Sequence, residues 1–161
     1  QPKKTGKIER PDLHRIGCAG NITNFEETED GRYIIFINGV CRFRIIDEIN
    51  NKKLFRECHV KFDEYFDDLK KKSEKVKFSD LNLIFNNLKK LFNKQGYTIN
   101  WKDIEKQSLD RAINTLSMAS PFSIEEKQIL LESKNLELRK KKLEQILKIY
   151  TLDTFRNSTL Q

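Results

Sequence analysis

The sequence lacks any apolar run of about 20 residues, the length that a membrane-spanning helix requires, and it shows no signal peptide. Cysteine is scarce, with three residues widely spaced along the chain. An odd, scattered set does not make a disulfide framework, so the thiols indicate a reducing compartment and we expect a cytoplasmic protein. Because the chain begins Gln1-Pro2 without methionine, the sequence is also compatible with a fragment of a longer protein.

Residues that could bind a metal or act as nucleophiles are few and poorly spaced. Cys18, Cys41, Cys58 and His59 are the conceivable zinc ligands, but no pair has the spacing of two to four residues that grips a metal. Strand parity places all three cysteines beside apolar residues, so we predict buried, reduced and metal-free thiols. Neither His14 nor His59 lies in a recognisable pattern of a nucleophile and its general base, so no hydrolase site is predicted.

Glycine occurs only six times, and never in the Gly-x-x-x-x-Gly-Lys-Ser/Thr pattern that cradles phosphate. The segment from Gly17 to Gly20 lies within an apolar run, where a bulge or close packing explains the glycines better than a nucleotide site. The acids at Glu26, Glu27, Glu29 and Asp30 crowd one polar corner without the spacing of an EF-hand, and we interpret them as solvated turn residues. No cofactor is therefore predicted.

The charge balance is basic, with a formal net charge of +7. Such a balance raises nucleic acid or an acidic partner as candidates. The positive runs Lys70–Lys72 and Arg139–Lys142 lie where predicted helices would expose them, and acids such as Asp67 and Glu144 lie nearby. This mixture favours solvated helix faces over a phosphate-binding stripe, so we predict that any RNA binding is weak and non-specific.

The strongest local pattern is one of β-strands. Three apolar runs rich in β-branched and aromatic residues follow one another: Ile16–Phe25, Tyr33–Ile37 and Val40–Ile46. An Asp-Gly pair ending at Gly31 and an Asn-Gly pair ending at Gly39 separate these runs, and such pairs favour tight hairpin turns. We therefore predict three successive antiparallel strands, followed by a fourth over Leu54–Phe62 with a bulge or a half-covered position at Arg56.

The same stretch resembles a known family. The motifs are GCAGNI at Gly17–Ile22, FEE at Phe25–Glu27, DGRY at Asp30–Tyr33 and GVCRFR at Gly39–Arg44, with PFSIEEKQ at Pro121–Gln128. Together they resemble the N-terminal, substrate-binding domain of Lon proteases, and in particular stand-alone bacterial members without the ATPase and protease modules. The resemblance implies an α+β fold: an antiparallel PUA-like β-subdomain over residues 1–62, followed by a helical bundle of four or five helices over residues 63–161.

The function that the resemblance implies is non-catalytic recognition of unfolded or specific polypeptides. Apolar side chains exposed between the two subdomains would bind the client, with surrounding charges setting its orientation. The ATPase and peptidase activities of full-length Lon proteins are not carried over, because neither a Walker motif nor a Ser-Lys pair has a counterpart here. An RNA-binding module is the alternative, since PUA-like barrels also bind RNA.

The family has several dozen residues of strand and helix before the point where this chain begins. The resemblance therefore implies a sheet that is incomplete at its N-terminus, with residues 1–13 as an extended linker. Three or four strands are too few for a closed barrel, and an open apolar edge recruits another strand. We expect a homodimer, a swapped segment or a separate N-terminal fragment to cover that edge.

After Asp63 the apolar period changes from two to three and four. A short stripe of Tyr65, Phe66 and Leu69 precedes a predicted helix over Asp80–Gln95. Ser79 is its predicted N-cap, Phe78 packs on Leu83 as a hydrophobic staple, and Gly96 follows the last turn. Its predicted apolar face comprises Leu81, Ile84, Phe85, Leu88, Leu91 and Phe92.

Three further helices are predicted. One is capped by Asn100 and ends before Pro121, the next begins with a capping box of Ser123 and Glu126, and the last covers Leu136–Leu152. Trp101 could line a peptide groove with Phe78, Phe85 and Phe92, but helical spacing favours a core position for them.

Two arginines of the resembling motif, Arg42 and Arg44, alternate with Cys41 and Phe43 along a predicted strand. Alternation directs the arginines away from the apolar face, because successive side chains of a strand point to opposite sides. We predict that they pair across strands with acids such as Glu26.

Overall fold

The computed structural model describes residues 11–70 and 81–158, with the backbone alone described for 151–158. Three antiparallel strands come first: β1 (Ile16–Glu27), β2 (Tyr33–Ile49) and β3 (Glu57–Lys61). A 3₁₀ helix, Asp63–Leu69, and five α-helices follow: α1 (Asn82–Lys94), α2 (Trp101–Glu105), α3 (Leu109–Ala119), α4 (Ile124–Glu132) and α5 (Leu136–Ser158). The predicted α+β class is therefore confirmed. No helix in these ranges is long and apolar enough to cross a membrane.

The sheet has the order β1-β2-β3, and its first turn is the predicted one. Gly31 has a φ of 75°, and the turn closes with a hydrogen bond of 2.8 Å from the Thr28 amide to the Arg32 carbonyl. An l-residue with a side chain rarely adopts such a φ, which is why an Asp-Gly pair favours this turn.

The second predicted turn, at Asn38-Gly39, is wrong. β2 continues through both residues, which lie opposite Asn21 and Gly20 of β1. The β1–β2 register shifts between Ala19 and Gly20, and a Cβ at Gly20 would lie only 3.0 Å from the Asn38 carbonyl oxygen. These glycines therefore permit close approach at a bulge, as predicted for the Gly17–Gly20 segment, and the second and third predicted strands are one strand.

The third strand is shorter than the predicted Leu54–Phe62. Leu54 and Phe55 precede β3 and are exposed. The irregular register lies in β2, between Ile45 and Asp47, so no bulge occurs at Arg56, which is half-buried as the other predicted alternative required. Arg56 instead pairs with Glu48, with 2.6 Å between Nη2 and Oε2.

The main core lies among the helices. All six residues predicted for the apolar face of α1 are buried, and Gly96 follows the helix with a φ of 73°. The predicted cap Ser79 and staple residue Phe78 lie outside the described residues. The face packs against buried residues of the other helices, which include Ile104, Leu116, Leu130, Leu143 and Leu147. Local periodicity was therefore sufficient to predict this face.

The single helix predicted from Asn100 to Pro121 is wrong, because α2 and α3 are separate. Ile104 and Leu109 are both buried, although residues five apart lie about 140° from each other around one helix. A break lets both reach the core, and Ser108 has the extended backbone that starts a new helix.

The capping box of α4 is confirmed. The Glu126 amide donates to the Ser123 hydroxyl oxygen at 3.2 Å, and the Ser123 amide donates to Glu126 Oε2 at 2.8 Å. The last helix, α5, continues beyond the predicted end at Leu152.

A second, smaller core joins the sheet to the helices. It comprises Ile16, Cys41 and Tyr65, with Phe62 and Leu131 packed against it. Of the predicted stripe only Tyr65 is buried, since Phe66 and Leu69 are exposed on the 3₁₀ helix. The helical part thus begins at Asp63, immediately after the sheet, and the division into two subdomains stays a prediction.

Candidate functional site: the distal hairpin and its base

The half of the β1–β2 hairpin that lies away from the helices exposes apolar side chains. We call residues 20–39 the distal hairpin. Cross-strand neighbours point to the same side of a sheet, and the register pairs Ile22 with Ile37, and Phe25 with Ile35. With Tyr33 they form the apolar face, whose members are exposed by between 51% (Ile35) and 66% (Phe25).

A bulge creates this face. The register shifts between Ile22 and Asn24, which leaves Thr23 as an extra residue in β1. Residues three apart normally point to opposite sides of a strand, but the extra residue brings Ile22 and Phe25 to the same side. The Thr23 hydroxyl donates to the Phe36 carbonyl at 3.3 Å, within the hairpin. The alternation of residues in the sequence did not predict this face, because alternation assumes a strand without a bulge.

The opposite face of the distal hairpin is mixed. Ile34 and Phe36 are about half exposed there, and their partners in β1 are Glu26 and Asn24. The two faces therefore differ in polarity. The strongly apolar one also places the rings of Phe25 and Tyr33 in contact, with centroids 6.4 Å apart.

The turn at the end of the hairpin is acidic. Glu26, Glu27 and Glu29 are exposed there beside Asp30, and we call these four residues the acidic tip. Hydrogen bonds from Arg32 and from the Thr28 hydroxyl lower the pKa of Asp30. Against a chain with a net charge of +7, this is a local concentration of negative charge at one end of the apolar face.

Arg42 lies at the base of the hairpin and is buried against the helices. Its Nε and Nη2 donate to the two carboxylate oxygens of Asp68, each at 2.8 Å. The guanidinium carbon also lies 4.3 Å from the centroid of the Tyr65 ring. The pairing with Glu26 predicted for Arg42 is wrong, because Glu26 lies opposite Ile34 at the other end of the hairpin.

Arg42 also caps the end of α4. Its Nη1 donates to the Leu131 carbonyl at 2.9 Å and to the Ser133 carbonyl, and its Nη2 donates to the Lys134 carbonyl at 3.2 Å. The last carbonyls of a helix lack partners within the helix and carry partial negative charge. One cation therefore joins the sheet, the 3₁₀ helix and the turn between α4 and α5.

Two other arginines complete the base. Arg44 pairs with Glu64 rather than with a strand acid, at 2.8 Å between Nη2 and Oε2, and this hydrogen bond lowers the pKa of Glu64. Arg139, predicted to be exposed, is half-buried and donates to the Leu130 carbonyl at 3.0 Å and to Asn114 at 2.6 Å. Burial, followed by repulsion from Arg42, lowers the pKa of Arg139 to about 10.

The rest of the predicted positive runs is less uniform than expected. Lys141 and Lys142 are exposed, as predicted, whereas Lys140 is half-buried. Lys70 is exposed and lies 2.8 Å from Asp67, and residues 71 and 72 lie outside the described residues.

A cleft of about 470 Å³ lies beside the base. It is lined by Leu13, His14, Arg15, Ile16, Arg44, Glu64, Tyr65, Glu132 and Lys134. Most of these residues are charged or polar. The apolar contact surface that the sequence predicted between the subdomains is therefore not found in this cleft, and exposed apolar side chains concentrate on the distal hairpin instead.

The cysteines do not all follow the predicted parity. Cys41 is buried and Cys58 is half-buried, but Cys18 is exposed, so the core position predicted for it is wrong. The face that Cys18 was expected to share with Ile22 is open to solvent at that end. No group of three or more potential metal ligands occurs in the part of the chain that the structure describes, where His59 contacts Asp47 at 3.0 Å.

The thiols of Cys18 and Cys41, on adjacent strands, should differ in reactivity. Burial raises the pKa of both, and the Asp68 carboxylate raises that of Cys41 further. A raised pKa leaves less reactive thiolate at a given pH. In the folded protein we expect iodoacetamide to label the exposed Cys18, at a rate that rises with pH, and to label the buried Cys41 only after unfolding. Peptide mass spectrometry checks this, and equal labelling of both thiols in the folded protein would contradict it.

The helical aromatic residues belong to the core, as helical spacing predicted. Phe85 and Phe92 are buried, and their rings contact Trp101 edge-on with centroids 6.3 and 5.9 Å apart. Phe78, the fourth predicted member, lies outside the described residues. A peptide groove is therefore not formed by the three that are described.

Comparison with known proteins agrees with this architecture. No curated protein matches the sequence. The crystal structure of a Lon N-terminal domain protein from Xanthomonas campestris is similar in fold, with a TM-score of 0.54 and 16% sequence identity over 84% of this chain and 68% of that chain. The profile of the ATP-dependent protease La (LON) substrate-binding domain matches residues 2–149. Because that match covers most of the sequence, the chain belongs to the Lon substrate-binding domain family.

Proposed function

We propose that this chain is a non-catalytic polypeptide-binding module and that the apolar face of the distal hairpin contacts the client. The observation that carries the proposal is the group of five large apolar side chains on one face, each at least half exposed. Large contiguous apolar surfaces are uncommon on soluble proteins and mark interaction sites. Membership of a substrate-binding family supports a polypeptide as the ligand.

Such a face selects clients by their state of folding. An unfolded polypeptide exposes apolar side chains that a folded protein buries, and these pack against Phe25, Tyr33 and the isoleucines of the face. A few aromatic and aliphatic anchors carry most of the free energy of such contacts. The acidic tip adds orientation by charge, because charged groups at the rim of an interface fix the register of the partner.

Binding without turnover is part of the proposal. The family match covers a substrate-binding domain, and the sequence offers no Walker motif or Ser-Lys pair on which to place catalysis. We propose that the β-rich part, residues 1–62, presents the contact surface and that residues 63–161 hold its base. The client should therefore leave the complex uncleaved, and added ATP should stay intact.

Removing two anchors tests the proposal. The double variant Phe25→Ser/Ile35→Thr replaces exposed side chains, so the fold should persist. Burying one such side chain contributes roughly 1.5–3 kcal/mol, so we expect the dissociation constant for an unfolded protein to rise at least tenfold. Fluorescence anisotropy with labelled, reduced and carboxamidomethylated lactalbumin measures this, and gel electrophoresis of the same mixtures reports cleavage.

The matched control removes apolar side chains that are equally exposed elsewhere. Leu83 on α1 is 64% exposed and Ile124 on α4 is 73% exposed. The variant Leu83→Ser/Ile124→Thr should bind lactalbumin as the wild type does. Equal losses in the two double variants, or none in the hairpin variant, would contradict the proposed contact surface.

A further inference from the structure

Among the residues that the structure describes, no strand pairs with the outer edge of β1 along the distal hairpin. β1 is the first strand of the sheet, and its inner edge pairs with β2. Near the base that edge is covered, because the Gln128 side chain on α4 donates to the Ile16 carbonyl at 3.0 Å. Beyond the base, the backbone groups of an edge strand require partners from solvent or from another chain.

This edge lacks two common protections against strand pairing, lysine and proline. Natural edge strands commonly carry lysine or proline, which discourage the addition of another strand. Residues 20–27, Gly-Asn-Ile-Thr-Asn-Phe-Glu-Glu, contain neither. The register shifts at Gly20 and at Thr23 are the irregularities in this stretch, and the Thr23 hydroxyl is directed to β2.

We propose that an extended segment of the client adds to the outer edge of β1 as a further antiparallel strand. This inference deepens the proposed function and rests on it. Main-chain hydrogen bonds would hold the segment, and alternate side chains would extend the apolar face next to Ile22 and Phe25. The client would therefore be recognised partly by its backbone, which every unfolded polypeptide offers.

Charge specifies the segment further. The acidic tip lies at the C-terminal end of β1, so an antiparallel segment places its N-terminal end there. The tip carries four acids against the single cation Arg32, which favours lysine or arginine at that end of the segment. The β1 edge of a second copy is a poorer occupant, since residues 16–27 contain no lysine or arginine.

The test uses the full chain and three versions of one labelled peptide. The peptide has two lysines followed by five residues that alternate between valine and threonine. One version is unmodified. One is N-methylated at the first, third and fifth of these five residues, and one is N-methylated at the second and fourth. Only alternate amides of an added strand face the edge that it joins. We expect one methylated version to lose at least tenfold in affinity and the other to bind within twofold of the unmodified peptide.

The charge requirement has its own variants. Replacing the two lysines by glutamates should weaken binding at least fivefold, and the protein variant Glu27→Lys/Glu29→Lys should reverse that preference. Glu137→Lys, an exposed acid on α5, is the control and should change nothing. An unchanged preference in the tip variant would overturn the role of the acidic tip.

The outcomes separate this inference from the proposed function. If both methylated peptides bind as well as the unmodified one, capture is by side chains alone, and strand addition is overturned while the proposed function stands. If neither peptide nor unfolded lactalbumin binds, both fail. If sedimentation equilibrium shows a dimer that the peptide dissociates, a second copy is the natural occupant of the edge, and the client strand is overturned.

Discussion

Replacing Arg42 with methionine is expected to lower the free energy of unfolding by about 3 kcal/mol, since Arg42 is only 5% exposed and hydrogen bonds to charged groups contribute roughly 1.5–3 kcal/mol each. Methionine keeps much of the side-chain volume, so the loss reports the contacts of the guanidinium. These are the two bonds to Asp68 and the three to carbonyls at the end of α4 and just after it. Urea denaturation followed by circular dichroism measures the change.

Arg44→Met is the matched control for that variant. Arg44 and Glu64 also form a bidentate pair, but both side chains are more than a third exposed. Water screens an exposed pair, and such pairs contribute little. We therefore expect Arg44→Met to lower the free energy of unfolding much less than Arg42→Met does. Equal decreases would contradict the view that the buried Arg42 holds the base of the hairpin.

The cost of losing Arg42 should depend on pH. Burial alone would raise the pKa of Asp68, but the hydrogen bonds and charge of Arg42 hold it below the usual value. A carboxyl whose pKa is lowered by folding stabilises the protein above its unfolded pKa, about 3.9, and this contribution is lost as the pH falls through the folded pKa. The difference in free energy of unfolding between wild type and Arg42→Met should therefore have its full value at neutral pH and should decrease below about pH 4.

Leu88→Ala is expected to lower the free energy of unfolding by a similar amount, about 3 kcal/mol. Leu88 is fully buried in the helical core, at 0% exposure, and truncating a buried leucine costs roughly 2–5 kcal/mol through lost burial and the cavity left behind. Leu83 lies on the same helix but is exposed, so Leu83→Ala should stay within about 0.5 kcal/mol of wild type. Similar losses for the two variants would contradict the orientation of α1.

The features that the sequence predicted correctly depend on residues that are close together along the chain. The apolar face of α1 follows from spacing within one helix, the first turn from Asp30-Gly31, and the capping box from Ser123 and Glu126. Each depends on residues within a few positions of one another, where backbone geometry leaves few alternatives. The family resemblance supplied the order of sheet and helices.

What the sequence could not predict was non-local. The Asn38-Gly39 pair also favours a turn, but pairing with β1 at the Gly20 bulge overrides this preference. The partners of Arg42 are 26 residues away at Asp68 and 89 to 92 residues away around the end of α4. No spacing rule connects such positions. The apolar face was missed for a related reason, since one extra residue at Thr23 reverses the parity of the strand beyond it.

Because β2 is one continuous strand, the far end of the hairpin lies a long way from its base. Arg42 holds the strand at its base, and Tyr33 lies nine residues away along the same strand. At about 3.3 Å per residue, the far end is about 30 Å from the pivot. A small tilt of the strand at its base would therefore displace the apolar face much further than it would displace the residues beside Arg42.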